Sequence, residues 1–164
     1  MNNTNIKAEP GKHEIIITHM FDAPRTLIFK LYTDPESIPQ WWGPRRLTTK
    51  VDRMEVRPGG QWRFVQHDPE GKEYAFHGVY HEIKQPDRII TTFEWEGMPG
   101  HVLMETIVFE DVGGKTKVTD SSVFQSVEDR DGMVKTGMEE GSYESGERFA
   151  EVLIKMREKV RKQP

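Results

Sequence analysis

The sequence predicts an α+β fold: one curved antiparallel sheet wrapped around a single long C-terminal helix, in the order β-α-α-β6-α, with an internal cavity. Three observations lead there. Alternating apolar runs follow one another at hairpin spacing through the middle of the chain. Two short helical patterns separate the first of these runs from the rest. The chain then closes on one long amphipathic helix. A curved antiparallel sheet has one face to cover, one long helix can cover it, and the two short helices can close one end. That geometry leaves a hollow between sheet and helix.

Each element follows from its own stretch. "MNNTNIKAEPGK", residues 1–12, has no apolar signal core and reads as a flexible lead-in to a single domain over residues 13–162. "HEIIITHMF" is isoleucine-rich and alternates, a strand. In "APRTLIFKLYTDP", Pro24 suits a first helical turn, and Leu27, Ile28, Leu31 and Tyr32 recur at helical spacing. Asp34 precedes Pro35 and can cap a second short helix running from Pro35 to Trp41, with Gly43 just past its end.

"LTTKVDRMEV", "QWRFVQH", "EYAFHGVYHEI", "RIITTFEW", "VLMETIVFEDV" and "KTKVTDSSVF" are six strands joined by Pro/Gly/Asp-rich turns, Gly113-Gly114 marking the last hairpin. "SVEDRDGMVKTG" reads as a loop with at most one helical turn, since Ser126 and Asp129 stand at capping-box spacing. The final helix has Glu139 and Glu140 near its start and Lys155 to Lys162 near its end, complementing the macrodipole. Its apolar stripe is Phe149, Val152, Leu153, Met156 and Val160.

Composition narrows the function classes. With no cysteine, a disulfide framework, a thiolate metal site and a cysteine nucleophile are excluded. Net charge is -4 with the signs mixed, so no basic stripe argues for nucleic acid. No apolar run approaches the length that spans a bilayer. Cytoplasm is the expected location, and a monomer or weak homodimer the expected state.

"QWWGP" raises the sharpest question, because two adjacent tryptophans point in different directions at a chain break. One ring can pack into the core while the other borders the cavity opening, or both can staple the helix pair onto the sheet. Inward faces are proposed for Trp62, Phe64 and Gln66, for Thr91, Phe93 and Trp95, and for Glu105, Ile107 and Phe109. Asp120 shares a strand face with Thr116, Val118, Ser122 and Phe124. It lies either near the cavity, where it could pair with Glu105, or in solvent at a bulge or strand end.

On the long helix, Met138 and the small residues Gly141, Ser142, Ser145 and Gly146 precede Phe149 on or beside the apolar stripe, where they would leave volume or allow close helix-to-sheet contact. The candidate ligand-binding set is Trp41, Trp42, Trp62, Phe64, Phe93, Trp95, Ile107, Phe109, Asp120, Met138, Ser142, Ser145, Gly146 and Phe149.

His77 and His81 share a strand face, but no third ligand stands at diagnostic spacing, so they read as a solvated or core-rim pair. "EDRDG", residues 128–132, is an acidic turn that could pair with Arg45 and Arg46 or hold a cation. No catalytic residue, metal or cofactor is assigned.

Taken together, "FDAPRTLIFKLYTDPESIPQWWGP", "VRPGGQWRF", "FHGVYHEI", "RIITTFEWEGMPGH", "ETIVFEDVGGKTKVT" and "SVFQSVEDRDGMVKTGMEEG" resemble the START-like, birch-pollen-allergen-like (SRPBCC) superfamily, the helix-grip fold. Within it they look like the family related to the activator of heat-shock protein 90 ATPase, over residues 13 to 158. The resemblance implies a cavity that binds a small hydrophobic or aromatic molecule such as a lipid or polyketide. Its alternatives are a cyclase/aromatase-like enzyme using a cavity carboxylate and a co-chaperone-type interaction domain. The two-domain grip of the co-chaperone members is not expected here, because only about a dozen residues precede the first strand.

Overall fold

The computed structural model describes residues 3–162. The elements are β1 (Thr4–Lys7), β2 (Glu14–Phe21), α1 (Arg25–Thr33), α2 (Ile38–Trp41), β3 (Thr48–Met54), β4 (Gln61–His67), β5 (Glu73–Lys84), β6 (Arg88–Trp95), β7 (Val102–Val112), β8 (Lys115–Val123), α3 (Val127–Lys135) and α4 (Met138–Arg161). The described strands form one antiparallel sheet in the order β1-β2-β8-β7-β6-β5-β4-β3. After the α1–α2 insertion β3 begins at the far edge, each strand from β4 to β8 pairs with its predecessor, and β8 then closes onto β2. This is the curved open sheet gripping a long C-terminal helix that the sequence predicts.

Alternation decides which side chains face α4. Phe21 on β2, Phe109 on β7 and Val118 on β8 are buried with Ile28 and Phe29 from α1 and Phe149, Val152 and Leu153 from α4. Phe149 stacks on Phe21 with centroids 4.3 Å apart, and Phe109 meets Phe29 at 5.1 Å. Rings in such offset and edge-on arrangements add to the burial of their area. Thr116, fully buried, donates to the Ala23 carbonyl at 2.7 Å and ties the β2–α1 turn to β8.

Two segments differ from expectation. The lead-in at residues 1–12 is not wholly flexible: Thr4–Lys7 pair with β2, the Thr4 hydroxyl meets His19 Nδ1 at 2.8 Å, and Ile6 packs near Ile15. A four-residue strand with one large apolar side chain leaves almost no alternation to read. The acidic segment at residues 128–132 is part of α3 rather than a turn. Ser126 caps it, accepting from the Asp129 N–H at 3.0 Å. Its apolar residues are only Val127, Met133 and Val134, so it carries little amphipathic signal beyond its cap and the charges of its end turns.

Gly137, at φ 83°, then reverses the chain into α4 in the left-handed region that glycine adopts without penalty. Asp34 caps the turn ahead of α2 by accepting from the Glu36 N–H and the Ser37 hydroxyl, and the helix itself begins only at Ile38.

Candidate functional site

The inner face of the sheet and the first half of α4 enclose a cavity of about 330 Å³, at the small end of ligand pockets. Its walls are largely aromatic: Trp62 and Phe64 from β4, Phe76 from β5, Phe93 from β6, and both rings of the Trp41-Trp42 pair. The pair divides its work. Trp41 is buried, donates from Nε1 to the Leu31 carbonyl at 3.0 Å and meets Phe149 edge-on, joining α1, α2 and α4. Trp42 turns the other way and packs edge-on against Phe64 at 5.1 Å and Phe76 at 5.5 Å.

Gly43 follows at φ 91°, and a Cβ there would strike the Gln66 amide. A substitution would therefore be both strained and crowded.

The segment after α2 is fastened to α4. The Gly43 N–H donates to Ser145 Oγ at 2.9 Å. Arg148 donates to the carbonyls of Gly43 and Pro39 at 2.9 and 3.1 Å. Arg45 donates from its backbone to Glu144 and from its guanidinium to Glu151, at 2.9 and 2.6 Å. Pro44 and Gly141 border both the cavity and a second pocket lined by Arg45, Arg46 and Glu144, so the two meet at the rim between α2 and α4.

The cavity's polar groups come from the middle of the sheet. Glu105 lies opposite Ser122, and Asp120 opposite Ile107, which makes the two acids diagonal neighbours on β7 and β8. Both line the cavity, Asp120 on the inward side of the choice left open by the sequence. Asp120 Oδ1 is buried and has no partner. Burial pushes both carboxyls up. The Glu105 charge raises Asp120 further, well above the usual range, so the pair holds a proton between its two carboxyls.

Tyr32 and Tyr80 also line this region, and their hydroxyls are pushed up by burial and then by the acids. Burial lowers His19 to about 4, so its imidazole is neutral at physiological pH.

Ten of the fourteen expected site residues border the cavity: Trp41, Trp42, Trp62, Phe64, Phe93, Ile107, Asp120, Met138, Ser142 and Ser145. Four do not. Trp95 shares the Phe93 face but sits at the end of β6, 37% exposed. Phe109 and Phe149 point the right way but are consumed in the aromatic core. Gly146, one helical turn beyond Ser142, is buried outside the cavity wall.

Residues 22–153 match the family described as Activator of Hsp90 ATPase homolog 1-like protein. The chain belongs to this family. Solved structures of similar shape include a protein from Arthrobacter aurescens (25% identity, covering 92% of this chain and 91% of that one, TM-score 0.85). Others come from Mycobacterium smegmatis (24%, 92% and 96%, TM-score 0.83) and Rhodobacter sphaeroides (22%, 93% and 98%, TM-score 0.85). No curated protein matches. In this Activator of Hsp90 ATPase homolog 1-like chain, no described helix is long and apolar enough to cross a membrane.

Other cavity residues were not in the expected set. Tyr32, Phe76, Tyr80 and His19 are the informative ones. Phe76 and Tyr80 alternate on β5, a signal masked by the neighbouring His77 and His81. His77 faces away from the cavity, toward Glu96 at 3.0 Å and Glu94 at 3.4 Å. The acidic segment does not meet Arg45 or Arg46: Asp129 pairs with His101 and Asp131 with Arg130, while Arg45 pairs with Glu147 and Glu151 on α4. Among the described residues no cluster of His, Asp and Glu could hold a metal ion.

Proposed function

We propose that this protein holds a small apolar or aromatic molecule in the cavity between the sheet and α4. The carrying observation is that no side chain fills the cavity although nine Phe, Tyr and Trp side chains line it. Apolar surface around an unfilled volume gains free energy when an apolar molecule displaces whatever occupies it. The unfilled volume favours this reading over a co-chaperone-type docking domain, for which a filled interior would be enough. A cytoplasmic location and a monomeric or weakly dimeric state go with the same proposal.

The test is native mass spectrometry on freshly purified protein, followed by titration of 2-naphthylmethanol with tryptophan fluorescence as readout. A co-purifying small molecule, or saturable quenching lost in the Trp42→Phe variant, supports the reading. The absence of both a co-purifying molecule and any fluorescence change with the probe would overturn it.

A second reading rests on one observation, the Glu105–Asp120 pair facing the cavity. A protonated and an ionised carboxyl side by side can donate and accept a proton, as acid/base catalysis in a cyclase-like enzyme requires. That reading expects a chemically altered ligand after incubation, whereas a binding protein returns it unchanged.

A further inference from the structure

We propose that the cavity takes a cationic amine carried on an aromatic or bulky apolar group, with its ammonium seated against Glu105 and Asp120. The proposal rests on the ligand-holding reading above and names the chemistry of the ligand.

Charge balance is the first argument. The cavity wall carries two carboxyls and no lysine or arginine. The cations nearest in the chain to the rim are already engaged, Arg148 by backbone carbonyls and Arg45 by acids of α4. The neighbours of the pair are neutral: Ile17 on β2 opposite Asp120, Thr91 on β6 and Ser122 on β8 opposite Glu105, and the phenols of Tyr32 and Tyr80; His19 on β2 and Ser142 on α4, also uncharged, line the same cavity. His19 is uncharged because burial lowers it to about 4. Two acids without a counter-cation are costly to enclose, and in the free protein they meet that cost by retaining a proton. A ligand ammonium would supply the missing charge.

Hydrogen bonding is the second. Asp120 Oδ1 is shut off from solvent with no donor. Buried acceptors in folded proteins are ordinarily satisfied and this one is not; a small turn of the carboxyl toward the cavity that Asp120 lines would bring it within reach of a ligand donor. An ammonium has three N–H groups and can serve this oxygen and Glu105 together, through charge-assisted bonds.

The aromatic walls are the third. Ring faces attract cations, and Trp62, Phe64 and Phe93 form one contiguous group of rings, with centroids 4.7 and 5.9 Å apart. The same rings receive the ligand's apolar part. An anionic ligand of the same shape would meet two acids and no donor of opposite charge.

The experiment compares three probes of one shape on the full chain at neutral pH by isothermal titration calorimetry: 2-naphthylmethylamine, 2-naphthylmethanol and 2-naphthoate. The amine is expected to bind about tenfold or more tightly than the alcohol, one decade or more of Kd, and the carboxylate weakest. In Glu105→Gln with Asp120→Asn, the amine should lose its advantage over the alcohol. Should the double variant not fold, Asp120→Asn alone should narrow the gap.

If the alcohol equals the amine on the unaltered protein, or if the advantage survives substitution, the amine proposal is overturned while the cavity reading stands. Tightest binding of the carboxylate overturns it as well. If none of the three binds, both readings fall together.

Discussion

The inner face of the sheet meets two different halves of the same helix. Beyond Phe149, α4 brings large apolar side chains against Phe21, Phe29, Phe109 and Val118, and that end is closed. Before it, α4 brings Gly141, Ser142 and Ser145 opposite Trp62, Phe64 and Phe93, and that end is hollow. The sheet offers large residues at both ends and adds polar ones at the hollow end, while the helix face changes from small residues to large ones. The polar bookkeeping differs in the same sense. The closed end ties its buried threonine to a carbonyl, whereas the hollow end leaves Asp120 Oδ1 without a partner. Stability and ligand capacity are thus separated along one helix, and substitutions on either side of Phe149 should act on different properties.

The largest expected effect is at the closed end. Phe149→Ala removes a ring that stacks on Phe21 and meets Trp41. Urea unfolding should show a loss of roughly 3–5 kcal/mol. A loss under about 1 kcal/mol would mean that this end is no better packed than the other.

Gly146→Leu comes next. Gly146 is buried beside the core and does not border the cavity. Overpacking should cost about 1–3 kcal/mol, with 2-naphthylmethanol affinity left within about twofold. A gain in stability would show that the hollow extends past Ser145.

At the hollow end Asp120→Asn should stabilise. The folded-state pKa of Asp120 lies above its unfolded value, so its favourable contribution is complete below the unfolded pKa and fades as pH rises. The variant should therefore match the parent in stability near pH 4, roughly where an unfolded aspartate titrates. It should exceed the parent by on the order of 1 kcal/mol or more at neutral pH. Denaturant midpoints measured across that range give the answer, and a pH-independent difference would place the carboxylate in solvent.

Ser142→Val is the subtlest change. Its added methyls project into the cavity and should alter stability by less than about 1 kcal/mol. Probe affinity should nevertheless fall about tenfold. An unaltered titration would remove Ser142 from the binding surface.

The same contrast explains what could be read in advance. Strand alternation and helical spacing exposed the fold because burial of one face forces those periods on the chain. They also marked Trp62, Phe64, Phe93 and Ile107 as inward-facing. Periodicity reports direction, however, and not what stands opposite. Phe109 and Phe149 have inward periodicity, yet their partners fill the space before them.

The side on which Asp120 falls depended on whether β8 stays regular to its end, which its unbroken register with β7 settles. Tyr32 was visible only as part of a helical stripe. Its place beside the acid pair arises from how α1 crosses the sheet, a tertiary fact with no local signature.

The most direct test of a hollow, ligand-holding end beside a closed one is to locate a bound probe. With methyl-labelled protein and 2-naphthylmethanol, nuclear Overhauser contacts should appear from the probe to Ile15, Ile17, Ile89 and Met138, which line the cavity. None should appear to Val118, Val152 or Leu153, which belong to the closed core. Contacts to the second group, or saturation with no contact to the first, would contradict the division drawn at Phe149.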